Sequence, residues 1–185
     1  MISINSNIEE ITNQGIFLHE SYCLWQNLAH PNLNAEYERI LCDHEEFKKV
    51  FLESLFGSIV TSIYMLCDKR ADALSLHCII AEVESTYPDL REGVEEILSP
   101  IDPELELLAQ IRHKVYAHRD RNISPQSVFS LVNMSPERIY CCISSILSAL
   151  DLINWTAGIK SQLGVTTKAL SKSDETENSL STLLL

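Results

Sequence analysis

Apolar residues recur three or four positions apart along almost the whole chain, and this spacing constrains the fold more than any other feature of the sequence. It places apolar side chains on one face of an α-helix, whereas a half-buried strand needs strict alternation, which no segment sustains. The 185 residues are 45% hydrophobic and contain five glycines. That length and composition suit one domain with its own core. We therefore predict an all-α fold, an up-and-down bundle of four to five main helices.

Start and stop signals divide this pattern into segments. Asp102-Pro103 and Ser135-Pro136 each place a capping residue before a proline at the first helical position, which is typical of helix starts. The composition shifts to Ser, Thr, Lys and Glu after Gly164, so we expect one domain over residues 1–163 and a flexible tail over 164–185. The expected helices cover about 6–29, 34–68, 71–86, 89–98, 102 to 119–122, and 135–160, with a helical turn within 124–131.

The sequence also limits which cellular compartment and which cofactors we expect. No run reaches the roughly 18–20 consecutive apolar residues of a membrane span, and the first residues lack the features of a secretory signal. The six cysteines lie within apolar helical patterns, without a CxxC pair or a zinc-type ladder. We expect a cytoplasmic protein with reduced thiols, with neither metal nor cofactor, and without a membrane partner.

Positive charge is concentrated at one place in an acidic chain. The formal net charge is −12, yet residues 110–121 carry four basic side chains and one acidic side chain. This segment has a net charge of +3, and the other residues carry −15. Excess acid argues against indiscriminate nucleic-acid binding, because phosphate affinity depends on Lys and Arg. A local positive site on a negative body can still bind phosphate, while the body discourages binding elsewhere.

The helical positions of these residues separate two groups of cations. At about 100° per residue, Arg112 falls beside Leu105 at the edge of the apolar stripe, and His118 also lies on that half. Arg119 and Arg121 are explained by a helix C-terminus, whose dipole favours cations. Arg112 and His118 point about 120° apart on a regular helix, so they converge on one phosphate only if the helix breaks or a second copy contributes its pair. This geometry favours a site assembled by dimerisation.

The segment RHKVYAH, residues 112–118, resembles the R-x(4–6)-H signature of the HEPN (higher eukaryotes and prokaryotes nucleotide-binding) superfamily. The following AHRD and the upstream SIVTSIYMLCDKRADALSLHCII, residues 58–80, are similar to its abortive-infection, AbiU-like branch. The resemblance covers residues 35–160. It implies a HEPN-like helical bundle that forms a homodimer with the two motifs facing each other. Active members are metal-independent endoribonucleases of toxin–antitoxin, anti-phage and RNA-processing systems.

Carried over by position, the resemblance makes Arg112 and His118 the catalytic residues. Attack by a ribose 2′-OH needs a proton acceptor with a pKa near neutrality, which histidine supplies. Negative charge then develops on phosphorus, and a guanidinium can bind it through paired hydrogen bonds. We expect the RNA-binding or supporting residues to be His113, Lys114, Arg119, Asp120 and Arg121.

One departure limits what the resemblance implies about regulation. Members silenced by a partner nucleotidyltransferase often carry a tyrosine two positions after the histidine, whereas this chain has Asp120 there. We do not carry that regulation over. The predicted function is RNA cleavage or RNA binding in a bacterial defence or toxin–antitoxin system, with RNA and an antitoxin protein as partners. The alternative is a catalytically inactive helical module that binds a nucleotide or another protein.

Overall fold

The structure is a computed structural model, and it describes residues 4–29, 45–113 and 134–159. These residues form helices and connecting turns, and none of them lies in a strand, which confirms the prediction of an all-α helical bundle. The helices are α1 (Ile4–Ala29), α2 (Glu45–Leu66), α3 (Leu76–Val83), α4 (Leu90–Leu98), α5 (Asp102–Ile111) and α6 (Pro136–Thr156), with a 3₁₀ turn at Ser99–Ile101 before α5.

The core lies where the three long helices meet. α1 packs along α2 and α6, α4 packs on α6, and α5 joins α2 to α6. Their inward faces are mainly aliphatic, as the helical spacing predicted, and many of these side chains have no solvent exposure; examples are Ile8, Ile11, Ile59, Ile63, Ile146 and Leu150. Burial of this apolar surface is the main term that stabilises such a bundle.

The contact between α1 and α6 is especially close. A Cβ atom added at Gly15 would clash with Cδ1 of Leu150, so glycine allows the two helices to approach here. About one turn further along the pair, the Asn154 side-chain amide donates to Thr12 Oγ1 at 2.9 Å and to the Leu150 carbonyl at 2.8 Å. Both polar side chains are buried, and this hydrogen bond satisfies them.

The predicted start signals are correct for α6 and wrong for α5. Ser135 caps α6, and its hydroxyl accepts from the backbone N–H of Arg138 at 3.4 Å. Asp102 is not an N-cap: it is the first residue of α5, and Ile101 occupies the cap position. The reason is the preceding 3₁₀ turn, whose last hydrogen bond runs from the Asp102 N–H to the Ser99 carbonyl. Helical geometry therefore begins before the aspartate.

Other boundaries differ in extent. α1 begins at Ile4 and ends at Ala29, close to the expected range, and α4 agrees with 89–98. α3 is shorter than the expected 71–86, because Ser75 caps it and the residues before it form a turn. The predicted segments 34–44, 114–122 and 124–131 and the tail 164–185 lie outside the described residues.

In the part of the chain that the structure describes, two helices, α2 and α6, are long and apolar enough to cross a membrane by length and composition. Half of the most apolar window of α6 and a third of that of α2 are buried inside the fold. The core helix of a soluble protein passes the same test. Both helices contribute core residues here.

The described cysteines are free thiols. Cys142 is buried and its neighbour Cys141 is exposed, as expected for adjacent residues on one helix. Burial raises the pKa of the Cys67 and Cys142 thiols to about 12, so neither is a thiolate near neutral pH. Cys42 lies outside the described residues.

Candidate functional site

The end of α5 places Arg112 against α2. Ile111, the last residue of α5, is fully buried, and Arg112 and His113 continue the chain with π-helical geometry. The guanidinium carbon of Arg112 lies 4.2 Å from the centroid of the Tyr64 ring on α2. A cation over an aromatic face at this distance is attracted by the ring quadrupole. Arg112 is half-buried, so the prediction that it borders the apolar stripe is confirmed.

Asp68 lies one turn beyond Tyr64, directly after α2. The Asp68 side chain is 5% exposed, and Arg70 contacts both of its carboxylate oxygens. The Arg70 backbone N–H donates to Oδ1 at 3.0 Å. The Nε and Nη2 atoms of Arg70 lie 2.9 and 2.8 Å from Oδ2. Hydrogen bonds from the Arg70 side chain lower the pKa of the Asp68 carboxyl despite its burial, and the charge of Arg112 lowers it further. Asp68 is therefore ionised at neutral pH.

The loop that carries Asp68 and Arg70 is tied to the start of α3. The Ser75 hydroxyl, which is fully buried, donates to the Asp68 carbonyl at 2.6 Å and accepts from the Cys78 N–H at 3.3 Å. One side chain thus closes the loop and caps the helix. This fixes the backbone position from which Arg70 reaches Asp68.

Tyr64, Asp68, Arg70 and Arg112 together form what we call the Arg112 cluster. It contains two guanidinium groups and one carboxylate, so its net charge is +1. Asp68 is engaged by Arg70, and among the described residues no carboxylate forms an ion pair with Arg112. When a guanidinium packs flat on a ring face, the N–H groups in its plane can still donate to other acceptors. Two oxygens of a phosphate match the spacing of these N–H groups.

The remaining predicted site residues divide into two sets. His113 follows Arg112 and is exposed. Lys114, His118, Arg119, Asp120 and Arg121 lie outside the described residues. The described part of the chain thus brings Arg112 together with α2, and the placement of His118 stays a prediction.

Three members of the cluster, Tyr64, Asp68 and Arg70, are not among the predicted site residues. Tyr64 is half-buried and packs under Arg112. A usable signal was present, because Tyr64 and Asp68 are four residues apart and therefore share one helical face before a pair of basic residues.

A cleft of about 750 Å³ adjoins the cluster, and Arg70 belongs to both. It lies between the loop after α2, helices α3 and α4, and the start of α5. Its charged and polar lining includes Lys69, Arg70, His77, Glu82, Arg91 and Glu95. This volume falls within the range of about 300–1,000 Å³ that is usual for small-molecule sites.

His77 in this cleft gives a prediction for the pH dependence of stability. Burial and then Lys69 lower the pKa of the imidazole; Arg91 lowers it too, and Glu95 and Asp102 oppose the shift. As pH falls through the unfolded-state pKa of about 6.5, the unfolded chain takes up a proton before the folded chain does, so stability falls. Urea unfolding at pH 7.5 and 5.5 should show a smaller loss for His77→Gln than for wild type. Equal losses in both proteins would contradict the lowered pKa.

A comparison with protein-family models, curated proteins and solved structures finds no match to this chain. Within residues 4–29, 45–113 and 134–159, no group of three or more His, Cys, Asp and Glu side chains could hold a metal ion. The features of this chain that indicate a function are therefore the Arg112 cluster and the motif that contains Arg112.

Proposed function

We propose that this protein is a HEPN-type RNA-binding and RNA-cleaving domain of a bacterial defence or toxin–antitoxin system. It acts as a homodimer, and Arg112 and His118 of both protomers form a metal-independent endoribonuclease site. The observation that carries the proposal is the Arg112 guanidinium on the Tyr64 ring, without an ion pair to any described carboxylate. An arginine that served only to keep the surface soluble would not need an aromatic ring packed against its guanidinium group.

The proposed reaction uses the two residue types in different steps. Neutral His118 accepts the proton of the ribose 2′-OH, which then attacks the adjacent phosphorus. Arg112 stabilises the negative charge that develops on the phosphate oxygens. The protonated histidine donates a proton to the departing 5′-oxygen, so the products are a 2′,3′-cyclic phosphate and a free 5′-hydroxyl. These steps need no metal ion.

The motif geometry is the reason for proposing a dimer. On a regular helix, residues six positions apart point about 120° away from each other. Arg112 faces Tyr64 of its own chain, so a histidine from a second copy can approach the same phosphate from the other side. His113, Lys114, Arg119 and Arg121 would then contact the RNA backbone, and Asp120 would orient His118 or Arg119.

The proposal extends to partners and compartment. A cytoplasmic ribonuclease would require control, and an antitoxin protein is the partner that the superfamily resemblance implies. The acidic remainder of the chain would limit RNA binding to the basic segment.

Purified protein should bind and cleave single-stranded RNA in a buffer that contains EDTA. Arg112→Ala should weaken RNA affinity by roughly tenfold to a hundredfold, the value of one hydrogen-bonded charge contact. Lys49→Ala is the matched control, because it removes one exposed cation from α2 at about 25 Å along the helix from its C-terminal end. Affinity measured by fluorescence anisotropy should be unchanged in the control. Cleavage that requires a divalent metal would refute the mechanism.

A second candidate function is favoured by the exposed face of α2. Phe47 and Val50 are 64% and 61% exposed, and the ring of Phe51 stacks on that of Phe47 with centroids 5.9 Å apart. Exposed apolar clusters are typical of protein-binding surfaces. A catalytically inactive interaction module would bind a protein or a nucleotide, and wild-type protein would then leave RNA intact in the EDTA assay.

A further inference from the structure

We propose that the cleft beside the Arg112 cluster is a nucleotide-binding site, with the phosphate held by Arg70 and Lys69. As a subsite for one nucleotide of a bound RNA, it depends on the proposed function. Its affinity for a free nucleotide does not, and the two ideas can be tested separately.

Arg70 is prepared to bind an anion. Its Nε and Nη2 are engaged by Asp68, and among the described residues its Nη1 group makes no hydrogen bond. The side chain is nevertheless 65% exposed, and it lines the cleft. A guanidinium already fixed on one edge loses little rotational freedom when its other edge binds phosphate. The Ser75 hydrogen bonds hold the same loop from behind.

Lys69 adds a second cation next to Arg70. Its Nζ lies 3.7 Å from Asp102 Oδ1, and the side chain is 70% exposed. An exposed ion pair of this length contributes little, so the ammonium group can turn towards a phosphate at small cost. Lys69 thus supplies an ammonium group that can change position, and Arg70 supplies a guanidinium group that is held in place. Both lie on one side of the cleft.

The third cation of the cleft serves a different purpose. Arg91 Nε and Nη2 contact the Glu84 carboxylate at 2.6 and 2.9 Å, and its Nη1 lies 3.6 Å from Glu95. Both edges of this guanidinium are therefore occupied. The cations available to an anionic ligand are those of the loop, and this indicates that the cleft itself holds one phosphate group rather than several.

The rest of the lining suits a nucleobase. The lowered pKa of His77 keeps its imidazole neutral at pH 7, so it can face a base as a planar, uncharged ring. Ala81, Leu98 and Leu105 provide apolar surface, and Glu82 and Glu95 can accept hydrogen bonds from exocyclic amino groups. A cleft with a phosphate side and a flat, partly apolar remainder matches a nucleotide that carries an amino group, such as AMP.

The cleft and Arg112 also lie along one face of α5. Leu105 lines the cleft, and Arg112 follows it seven residues later, two helical turns or about 10 Å along the axis. Asp68 is common to the surroundings of both sites, because it forms an ion pair with Arg70 and the charge of Arg112 lowers the pKa of its carboxyl group. An RNA strand with one phosphate at Arg112 would therefore have a neighbouring nucleotide within reach of the cleft.

Calorimetric titration of the full chain with AMP, adenosine and inorganic phosphate tests the proposal. AMP should bind with a Kd of about 10 µM to 1 mM, and more tightly than either adenosine or phosphate alone. Arg70→Ala should weaken AMP binding by roughly tenfold or more. Ala81→Phe should weaken it to a similar degree or more, because Ala81 is exposed on α3 and a phenyl ring there fills the cleft without changing any charge.

Two further variants separate this site from the proposed RNA site. Lys49→Ala should leave AMP affinity unchanged, and Arg112→Ala should change it less than threefold while RNA binding falls. The inference would be overturned if the Ala81→Phe variant bound AMP as tightly as wild type does. It would also be overturned if adenosine bound as tightly as AMP, or if AMP did not bind at millimolar concentration. If Arg70→Ala does not fold, Lys69→Ala and Ala81→Phe still decide the question. AMP binding in the cleft by a protein that neither binds nor cleaves RNA would refute the proposed function and leave the nucleotide site standing.

Discussion

Mixing an Arg112→Ala chain with a His118→Ala chain should restore RNA cleavage that neither variant retains alone. Each single variant is expected to lose about 10²–10³-fold in cleavage rate, the usual cost of removing one group that stabilises the transition state. In a mixed dimer, one protomer contributes an intact Arg112 and the other contributes an intact His118. If the site is shared across the dimer, this pair is complete, and about a quarter to a half of wild-type activity should return.

The control for this experiment is the double variant Arg112→Ala/His118→Ala mixed with wild type. At equal concentrations about a quarter of these dimers are wild-type homodimers and about half contain a single intact chain. A shared site predicts about a quarter of wild-type activity in this control, from the homodimers alone. About half of wild-type activity here, with no activity in the first mixture, would place both residues of a site on one chain. Analytical ultracentrifugation must show a dimer in every mixture, because a monomeric wild type that cleaves RNA contradicts the shared site directly.

Leu150→Ala should lower the free energy of unfolding by about 2–5 kcal/mol, a large change for a single side chain. Leu150 has no solvent exposure, and it fills the contact between α6 and Gly15 of α1. Removing it loses both the transfer free energy of the side chain and the packing around the cavity. Ser148→Ala, at an exposed position of the same helix, should change stability by less than about 0.5 kcal/mol.

A second substitution tests whether this loss arises from the contact with Gly15. In wild type, Gly15→Ala introduces a methyl group that clashes with Leu150, which offsets the gain of up to about 1 kcal/mol that alanine offers in a helix interior. In the Leu150→Ala background the methyl group has room. Gly15→Ala should therefore stabilise the protein more in that background than alone, measured by urea unfolding. Additive effects would mean that the two side chains do not meet.

Periodicity predicted the parts of the fold that depend on one helix at a time. The stripes that contain Ile8 and Ile11 in α1 and Ile146 and Leu150 in α6 are buried as expected, because an amphipathic helix has only one face to bury. Ser135 was correctly assigned as a cap because the cap bond is local. The error at Asp102 arose because the turn before it continues into α5, which a capping pattern cannot reveal.

The site was less predictable because it joins distant segments. Helical position placed Arg112 at the apolar edge, and its half-buried state agrees. Its support is Tyr64, which comes 48 residues earlier and meets it only because α5 packs on α2. The start of α3 was also decided by tertiary contacts: residues 71–74 have helix-forming side chains, yet Ser75 binds the Asp68 carbonyl and holds the preceding segment in a turn.

The hydrogen bond between Asn154 and Thr12 joins residues 142 positions apart, so the two ends of the described fold are packed against each other. During synthesis the ribosome releases α1 long before α6, at roughly 5–20 residues per second, and α1 has no α6 to pack on for several seconds. The surface of α1 around Thr12 and Gly15 stays uncovered until α6 has been made. A premature stop codon anywhere before residue 136 would therefore release a polypeptide with an open core, which proteases and chaperones recognise. Under the proposed function, a chain without α6 would form no stable ribonuclease.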